Sequence, residues 1–291
     1  SAWEAEKLAF AQNEFYLGKI EIFTWQQSND KDEEDEIMYK SHCRFPLVRN
    51  RPSCGTFIAG DDLLIIGTAD GKILCFKLDR KTATVSHICY LPQVFGGAVT
   101  DMVHVPCSEI YYQPSAYEIR EENPLPRGNE KSKNMATCFI YAVSSDCNLG
   151  VFDLRSGDCL GHIQTGITGN LSITYCCEKF FVSNRSNNNI VVFIRSSKTG
   201  DPVPQTELIG HTTTVYCLHA DEHNKRLFSG SGDNSVAVWY YDKLQDTMLQ
   251  IQQLKSVSKS TKFTCITTAR NINCLIAGSD NGFITVWHEY D

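Results

Sequence analysis

The amino-acid sequence predicts an all-β fold that is built from a repeated unit. Six segments share an apolar strand, a turn containing Asp, Asn or Gly, and an alternating strand that ends in an aromatic residue. The separations between these terminal aromatic residues are 53, 76, 41, 46 and 48 residues, from Phe23 through Phe76, Phe152, Phe193 and Trp239 to Trp287. Four strands in a repeat of about 40–45 residues are typical of β-propeller blades. Helical periodicity is nearly absent, and the predicted fold is therefore a β-propeller of four-stranded antiparallel blades.

Six hairpins supply the second and third strands of the units. In chain order they are KLAFAQNEFYLGKIEIF, LLIIGTADGKILCF, CFIYAVSSDCNLGVF, KFFVSNRSNNNIVVF, RLFSGSGDNSVAVW and CLIAGSDNGFITVW. Shorter alternating segments supply the other two strands, for example TELIG and TVYCLHA before the fifth hairpin. Six repeats are visible, and a parent protein of seven blades is the alternative, because the first repeat has room for only two strands before Phe23.

An insertion explains the longest interval between repeats. Residues 106–135 are rich in Pro, Glu, Lys and Asn and have no periodic apolar pattern, and removing these 30 residues leaves an interval of 46. We therefore expect a single propeller domain over residues 1–291, with an insertion at 106–135 in the third repeat. Because the chain begins with Ser1 rather than Met, we expect this domain to be a piece of a longer protein.

Composition and charge restrict the class of partner. The net charge of −7 and the isoelectric point near 5.6 argue against a general polyanion binder, because nucleic-acid binding needs a basic surface. A local basic patch keeps nucleic acid open as a disfavoured alternative. The sequence has no run of about 18 apolar residues and no signal peptide at its start, so we expect no membrane partner.

The 13 cysteines indicate a reducing compartment. Six of them lie inside apolar strand-like runs with no recurring pair spacing, namely Cys75, Cys138, Cys176, Cys217, Cys265 and Cys274. Secreted disulfide frameworks are small and loop-rich and have an even number of cysteines. Buried thiols that act as small hydrophobic side chains are the better interpretation, and we expect a cytoplasmic or nuclear location.

One segment of the chain resembles a known family. Leu208 to Trp239 reads LIGHTTTVYCLHADEHNKRLFSGSGDNSVAVW, and its His211, Ser229, Asp233 and Trp239 match the hydrogen-bonded tetrad of WD-repeat β-propellers. A turn Asp can accept hydrogen bonds from backbone N–H groups and from a His, and the His and Trp rings then satisfy their donors inside the blade. In other repeats the turn position holds Asp70, Asp146 and Asp280, with Asn187 in the fourth.

The resemblance also implies where partners bind. In WD-repeat propellers the loops entering the inner strands and the turns carrying the Asp lie on one face, which is the usual binding surface. Candidate contact residues on this face are Arg185, Asn170, Thr212 and Thr213. This group is small and polar and has no aromatic residue, so it does not indicate a ligand class.

The insertion offers a second candidate surface, on the opposite face of such a propeller. Tyr and Arg are frequent in interface hot spots, and the insertion contains Tyr111, Tyr112, Tyr117 and Arg120. Long loops in compact domains are often functional or disordered. The acidic run SNDKDEEDE, at residues 28–36, is interpreted as a solvated loop.

The sequence motifs for catalysis and metal binding are weak. Cys217, His219 and His223 come nearest to a zinc-ligand spacing, but a packed Cys and a surface His are the better interpretation. The segment GTADGKI has one residue too few between its glycines for a phosphate-binding loop. SGDNSVAVW is one residue too long for the Asp turn of sialidase propellers, and no arginine cluster accompanies it. We expect no catalysis, no metal, no cofactor and no small-molecule substrate.

The predicted function is a non-catalytic scaffold or adaptor that binds other proteins or short peptide segments through its loop faces. Two alternatives are a substrate-recognition propeller of a ubiquitin ligase and an RNA-binding propeller. A propeller hydrolase is the least favoured.

Overall fold

A computed structural model describes most of the repeats. It covers residues 7–11, 18–27, 37–47, 51–58, 62–79, 84–106, 138–154, 156–167, 169, 172–195, 201–256, 261–269 and 273–288. Within these ranges the chain consists of β-strands, turns and short connections, with no helix. Accordingly, no helix in the described part of the chain is long and apolar enough to cross a membrane. The prediction of an all-β fold is confirmed.

The chain forms two compact units, residues 1–99 and 100–291. The first unit contains two antiparallel sheets with the strand orders β1-β2-β3 and β4-β5-β6-β7. Their strands are β1 (Lys7–Ala11), β2 (Gly18–Gln27), β3 (Ile37–Leu47), β4 (Pro52–Ile58), β5 (Leu63–Thr68), β6 (Ile73–Asp79) and β7 (Thr84–Tyr90). Leu64, Ile66, Leu74 and Phe76 form a buried cluster on β5 and β6.

The second unit contains four antiparallel sheets. Their strand orders are β11-β10-β9-β8, β12-β13-β14-β15, β16-β17-β18-β19 and β20-β21-β22. The strands are β8 (Val99–Pro106, which begins at the unit boundary), β9 (Cys138–Ser144), β10 (Asn148–Asp153), β11 (Asp158–Gln164), β12 (Ile173–Cys176), β13 (Lys179–Ser183), β14 (Ile190–Arg195), β15 (Pro202–Leu208), β16 (Val215–Asp221), β17 (Arg226–Ser231), β18 (Ser235–Asp242), β19 (Thr247–Lys255), β20 (Phe263–Ala269), β21 (Cys274–Ser279) and β22 (Ile284–His288).

Strand position explains the pattern of apolar residues. Strands in the middle of a sheet, such as β5 and β13, are buried at every residue, because both faces of the sheet are covered. The outer strand β11 alternates between exposed and half-buried residues, because only one of its faces meets a neighbour. The continuous apolar runs in the sequence are therefore central strands, and the alternating runs are outer ones.

The core of the second unit lies between its successive sheets. One cluster joins the β8–β11 sheet to the β12–β15 sheet, with Tyr141 and Phe180 packed ring to ring at a centroid distance of 4.0 Å. A second cluster joins β12–β15 to β16–β19 and contains Phe181 and Trp239. A third joins β16–β19 to β20–β22 and contains Phe228 and Phe263. Successive sheets of this unit thus pack face against face, as expected for propeller blades.

The four-stranded antiparallel blade is confirmed for four of the sheets. The first and last sheets have three described strands each, so the number of blades stays a prediction. The insertion at 106–135 lies outside the described residues except for Pro106, and so does the acidic run at 28–36. The extent of a single domain over residues 1–291 also stays a prediction.

Candidate functional site

The four residues of the predicted tetrad lie together inside the β16–β19 sheet. His211 precedes β16, and its Nδ1 lies 2.9 Å from Oδ2 of Asp233 in the β17–β18 turn. The other ring nitrogen, Nε2, lies 2.8 Å from Oγ of Ser229 on β17. The indole Nε1 of Trp239 on β18 donates to the same Oγ at 2.8 Å. One chain of hydrogen bonds therefore links the turn, the entering loop and two strands.

This arrangement superficially resembles a Ser–His–Asp catalytic triad. Ser229, however, is fully buried, and its hydroxyl already contacts both the imidazole of His211 and the indole of Trp239. A nucleophile must reach its substrate and have a free path of attack. The geometry is instead that of a satisfied buried polar network.

The electrostatics of Asp233 reflect its dense set of donors. Burial acts to raise the pKa of this carboxyl, but hydrogen bonds from His211 and Ser235, the His211 charge and the Thr212 backbone N–H outweigh it. The pKa is lowered from its ordinary value of 3.8 to about 2. Oδ1 accepts from the N–H of Ser235 at 3.2 Å and from its hydroxyl at 2.5 Å. The ionised form is therefore the one that holds the turn.

The other predicted turn aspartates have different contacts. Asp280 Oδ1 accepts from the backbone N–H of Lys262 at 3.0 Å, which again ties a turn to the segment entering an inner strand. Asp70 accepts from the Nζ of Lys72 at 2.6 Å, within its own turn. Asp146 accepts a short hydrogen bond from the hydroxyl of Ser144. Only in the β16–β19 sheet does the described part of the chain contain the whole tetrad.

The turn end of the second unit presents an exposed surface that crosses three sheets. We define the turn-face patch as Arg185, Thr212, Thr213, Tyr216 and Lys262, all of which are exposed. Arg185 lies in the β13–β14 turn, the two threonines and Tyr216 in the entry to β16, and Lys262 just before β20. The patch contains two cations and one aromatic ring.

Contacts show that the patch is continuous. A Cβ placed on Gly232 would lie 3.1 Å from Thr213 Oγ1, 3.1 Å from Tyr216 Cε2 and 3.7 Å from Lys262 Cγ. These three side chains therefore surround one turn. The β13–β14 turn joins them through Asn188, whose Nδ2 donates to the carbonyl of Thr212 at 3.3 Å, while the side chain of Arg185 in the same turn lies against Gly169.

Tyr216 and Lys262 were not among the predicted contact residues, and the exposed ring of Tyr216 adds an aromatic residue beside the predicted Thr213. Strand alternation along VYCL does not predict which way Tyr216 points, because the β16–β17 register shifts between Val215 and Cys217. Such a bulge turns the extra residue away from the regular alternation, and Tyr216 is 37% exposed. The sequence does contain a sign of this bulge. In the first strand of three sheets, β4, β16 and β20, the bulged residue comes directly before a cysteine.

The remaining sequence candidates are separated or lie outside the described residues. Asn170, Tyr111, Tyr112, Tyr117 and Arg120 lie outside them. Three residues were weighed as a zinc site, and each has a different partner. Cys217 Sγ donates to the Phe263 carbonyl at 3.4 Å, His219 Nε2 lies 3.0 Å from Thr268 Oγ1, and His223 Nδ1 lies 3.1 Å from Asn224 Oδ1.

Comparison with known proteins agrees with the tetrad and with the sheets. The family model described as "WD domain, G-beta repeat" matches residues 202–240, which include all four tetrad residues. The structure of Sqt1 from Saccharomyces cerevisiae is similar over 93% of this chain and 65% of that one, with a TM-score of 0.59 and 12% identity. The chain therefore contains a WD repeat at residues 202–240, and its structural likeness to Sqt1 shows the β-propeller fold.

Two further relatives extend the comparison. The structure of Raptor from Chaetomium thermophilum is similar to 82% of this propeller, with a TM-score of 0.57 and 14% identity, and the propeller covers 20% of that chain. The ribosome biogenesis protein YTM1 of Lodderomyces elongisporus is 32% identical over 104 residues, which are 34% of the propeller and 21% of YTM1. The propeller thus spans about a fifth of this curated relative. The two structural likenesses establish the fold alone.

Proposed function

We propose that this propeller is a non-catalytic interaction scaffold that binds a segment of a partner protein on the turn-face patch. The observation that carries the proposal is the exposed ring of Tyr216 beside Lys262, on a surface that continues to Arg185. Tyr and Arg are the residue types that dominate binding energy in interfaces, because they provide a large rigid contact area and several donors.

The chemistry of the patch favours a segment with an acidic side chain next to an apolar or aromatic one. Arg185 and Lys262 can donate to a carboxylate, and Tyr216 offers an apolar ring at the same turn as the Thr213 hydroxyl and Lys262. The ammonium of Lys262 lies 3.8 Å from Oδ2 of Asp280, a long ion pair that leaves its hydrogens able to reach a ligand. A charged partner would gain association rate as well as affinity.

The family supports a scaffold role, since WD-repeat propellers are typically interaction platforms rather than enzymes. The same proposal includes a cytoplasmic or nuclear location, a single domain of six blades or of seven in a longer parent, and the absence of a cofactor. A ubiquitin-ligase substrate receptor would be one form of this scaffold. An RNA-binding propeller would use the same two cations, and the name of YTM1, a ribosome biogenesis protein, is the observation that keeps it as the second candidate.

Quantitative affinity capture of the intact protein tests the proposal. The patch variant is Arg185→Glu/Tyr216→Ala/Lys262→Glu. The matched control is Tyr240→Ala/Lys243→Glu, which removes an exposed ring and a cation at the other end of strand β18. We expect the patch variant to recover at least about tenfold less of its specific partner proteins than the wild type does. The control should recover them at the wild-type level. Equal recovery by both variants would contradict the proposal.

The same captured material distinguishes the second candidate. Nuclease treatment before capture removes partners that are held through RNA and leaves direct protein partners bound. If the patch-dependent partners disappear after nuclease treatment, the RNA-binding alternative replaces the protein-binding one.

A further inference from the structure

Two adjacent cysteines lie at a hairpin end of the second unit, away from the turn-face patch. Strands β12 and β13 are joined by the two residues Cys177 and Glu178, and Cys176 pairs with Lys179 across the hairpin. Both turn residues have positive φ, 52° for Cys177 and 61° for Glu178, as in the tight turns that match strand twist. Neighbouring side chains on a regular strand point to opposite faces. The turn instead places the Sγ atoms of Cys176 and Cys177 only 3.4 Å apart.

A carboxylate from the next sheet completes the cluster. Glu222 lies in the loop between β16 and β17, and its Oε2 accepts from the backbone N–H of Cys177 at 2.8 Å. Its Oε1 accepts from the Nζ of Lys225 at 3.0 Å. The two sulfurs and a carboxylate oxygen all lie within 4.8 Å of one another.

The loop that carries Glu222 is held in place by a buried acid. Asp221 is fully buried, and its Oδ1 accepts from the backbone N–H groups of His223 at 3.2 Å and Asn224 at 3.4 Å. Its Oδ2 accepts from the side-chain amide of Asn224 at 2.7 Å. Glu222 therefore projects from a fixed loop, and only its own side chain must rotate to change partners.

We propose that Cys176, Cys177 and Glu222 form a binding site for a thiophilic divalent cation, Zn²⁺, with a fourth position left to water or another ligand. Thiolate sulfur selects zinc over magnesium and calcium, which prefer oxygen ligands. Three protein ligands with one open position is a common arrangement for zinc.

The geometry is close to what the ion requires. With Zn–S bonds of about 2.3 Å, a tetrahedral ion holds its two sulfurs about 3.8 Å apart. The observed 3.4 Å therefore needs a widening of only a few tenths of an ångström. Oε2 of Glu222 would leave the Cys177 N–H to become a ligand, while Oε1 keeps Lys225.

The charge of the loaded site is also tolerable. Each thiol releases its proton to solvent as it binds, and two thiolates and one carboxylate around Zn²⁺ carry a formal charge of −1. Lys225 donates to the carboxylate and offsets part of this charge, whereas the ammonium of Lys179, which follows the turn, is paired with Asp246 at 3.0 Å.

The test uses the reduced full chain, freed of metal by a chelator that is then removed. Zn²⁺ is titrated against a competing chromogenic chelator, and Cd²⁺ is used as a second probe because its thiolate complexes absorb in the ultraviolet. The variants are Cys177→Ala and Glu222→Gln. Since the chain contains 13 cysteines, the matched controls are Cys159→Ala, another half-buried thiol, and Glu207→Gln.

We expect one equivalent of Zn²⁺ bound to wild type and to both controls. Cys177→Ala should lose that equivalent, and Glu222→Gln should bind at least about tenfold more weakly. Glu222 is exposed, so its variant keeps the proposal testable if Cys177→Ala fails to fold. Unchanged affinity in Glu222→Gln, an undiminished equivalent in folded Cys177→Ala, or no bound equivalent in wild type would each overturn the site.

Discussion

The carboxylate of Asp101 on β8 accepts a hydrogen bond of 2.7 Å from the hydroxyl of Ser172, which lies 71 residues further along the chain and just before β12. The same Oδ2 accepts from the backbone N–H of Ile173 at 3.0 Å. Ser172 Oγ in turn accepts from the backbone N–H of Leu218 on β16 at 3.1 Å. One short chain of hydrogen bonds therefore joins the first strands of three successive sheets.

The first prediction concerns this link between sheets. Asp101→Ala should lower the free energy of unfolding by about 1–3 kcal/mol, because it leaves the hydroxyl of Ser172 and the N–H of Ile173 without their acceptor. Urea titration measures the change. Asp158→Ala, at an exposed position on β11, is the control and should cost well under about 1 kcal/mol. Equal effects of the two substitutions would show that the link contributes nothing.

The second prediction concerns the tetrad. Asp233→Ala should destabilise the protein by about 1–3 kcal/mol, because His211 loses its acceptor inside the sheet. Asp280→Ala is the matched control, since it removes a turn Asp that is 40% exposed, accepts from one backbone N–H and has one long ion pair with Lys262. Denaturant titration should give the control the clearly smaller effect. A negligible loss in the free energy of unfolding for Asp233→Ala would show that the tetrad does not stabilise the fold.

The third prediction is a pH dependence from the same carboxyl. The pKa of Asp233 is about 2 in the folded protein and 3.8 ordinarily, so the ionised form stabilises the fold above the ordinary value. That stability is lost as the pH falls from about 4 towards 2, and it amounts to about 2 kcal/mol. Urea titrations at pH 6, 4 and 3 should show the wild type approaching Asp233→Asn in stability as the pH falls. A constant difference between the two proteins would contradict the assignment.

Features set by contacts close in sequence could be predicted. The tetrad spans 29 residues, from His211 to Trp239, and the resemblance of this one segment to WD-repeat propellers identified all four. The hairpins could be predicted for the same reason, since a turn and two apolar runs specify an antiparallel pair. A single blade could therefore be predicted from the sequence.

Features set by packing between sheets could not be predicted. Asp101 and Ser172 are 71 residues apart, and nothing in VTDMVHV shows that its acid faces the next sheet. Cys177 and Glu222 are brought together by the same stacking of sheets. Tyr216 was missed for a different reason, because a bulge reverses the side predicted by strand alternation.

The bulge also creates a recurring contact between cysteine and glycine. In three sheets the cysteine after the bulge pairs with a glycine on the second strand, Cys54 with Gly67, Cys217 with Gly230 and Cys265 with Gly278. In each case Sγ lies 2.6 or 2.7 Å from the place where a Cβ on the glycine would be. Because real Cβ atoms do not approach that closely, the thiol occupies the space that the missing side chain leaves.

The last prediction uses two of these pairs, which differ in their surroundings. A Cβ on Gly230 would also lie 2.9 Å from Cβ of Phe263 and 2.9 Å from Cδ1 of Ile266, so Gly230→Ala should cost about 1–3 kcal/mol by overpacking. A Cβ on Gly278 would meet only the Sγ of Cys265, an exposed residue that can turn towards solvent. Gly278→Ala should therefore cost less than about 1 kcal/mol, and adding Cys265→Ala should remove even that. Urea titration of the three variants measures these differences. Because the two glycines have the same place in their strands, an equal cost at both would mean that backbone conformation, and not the packed thiol, requires glycine there.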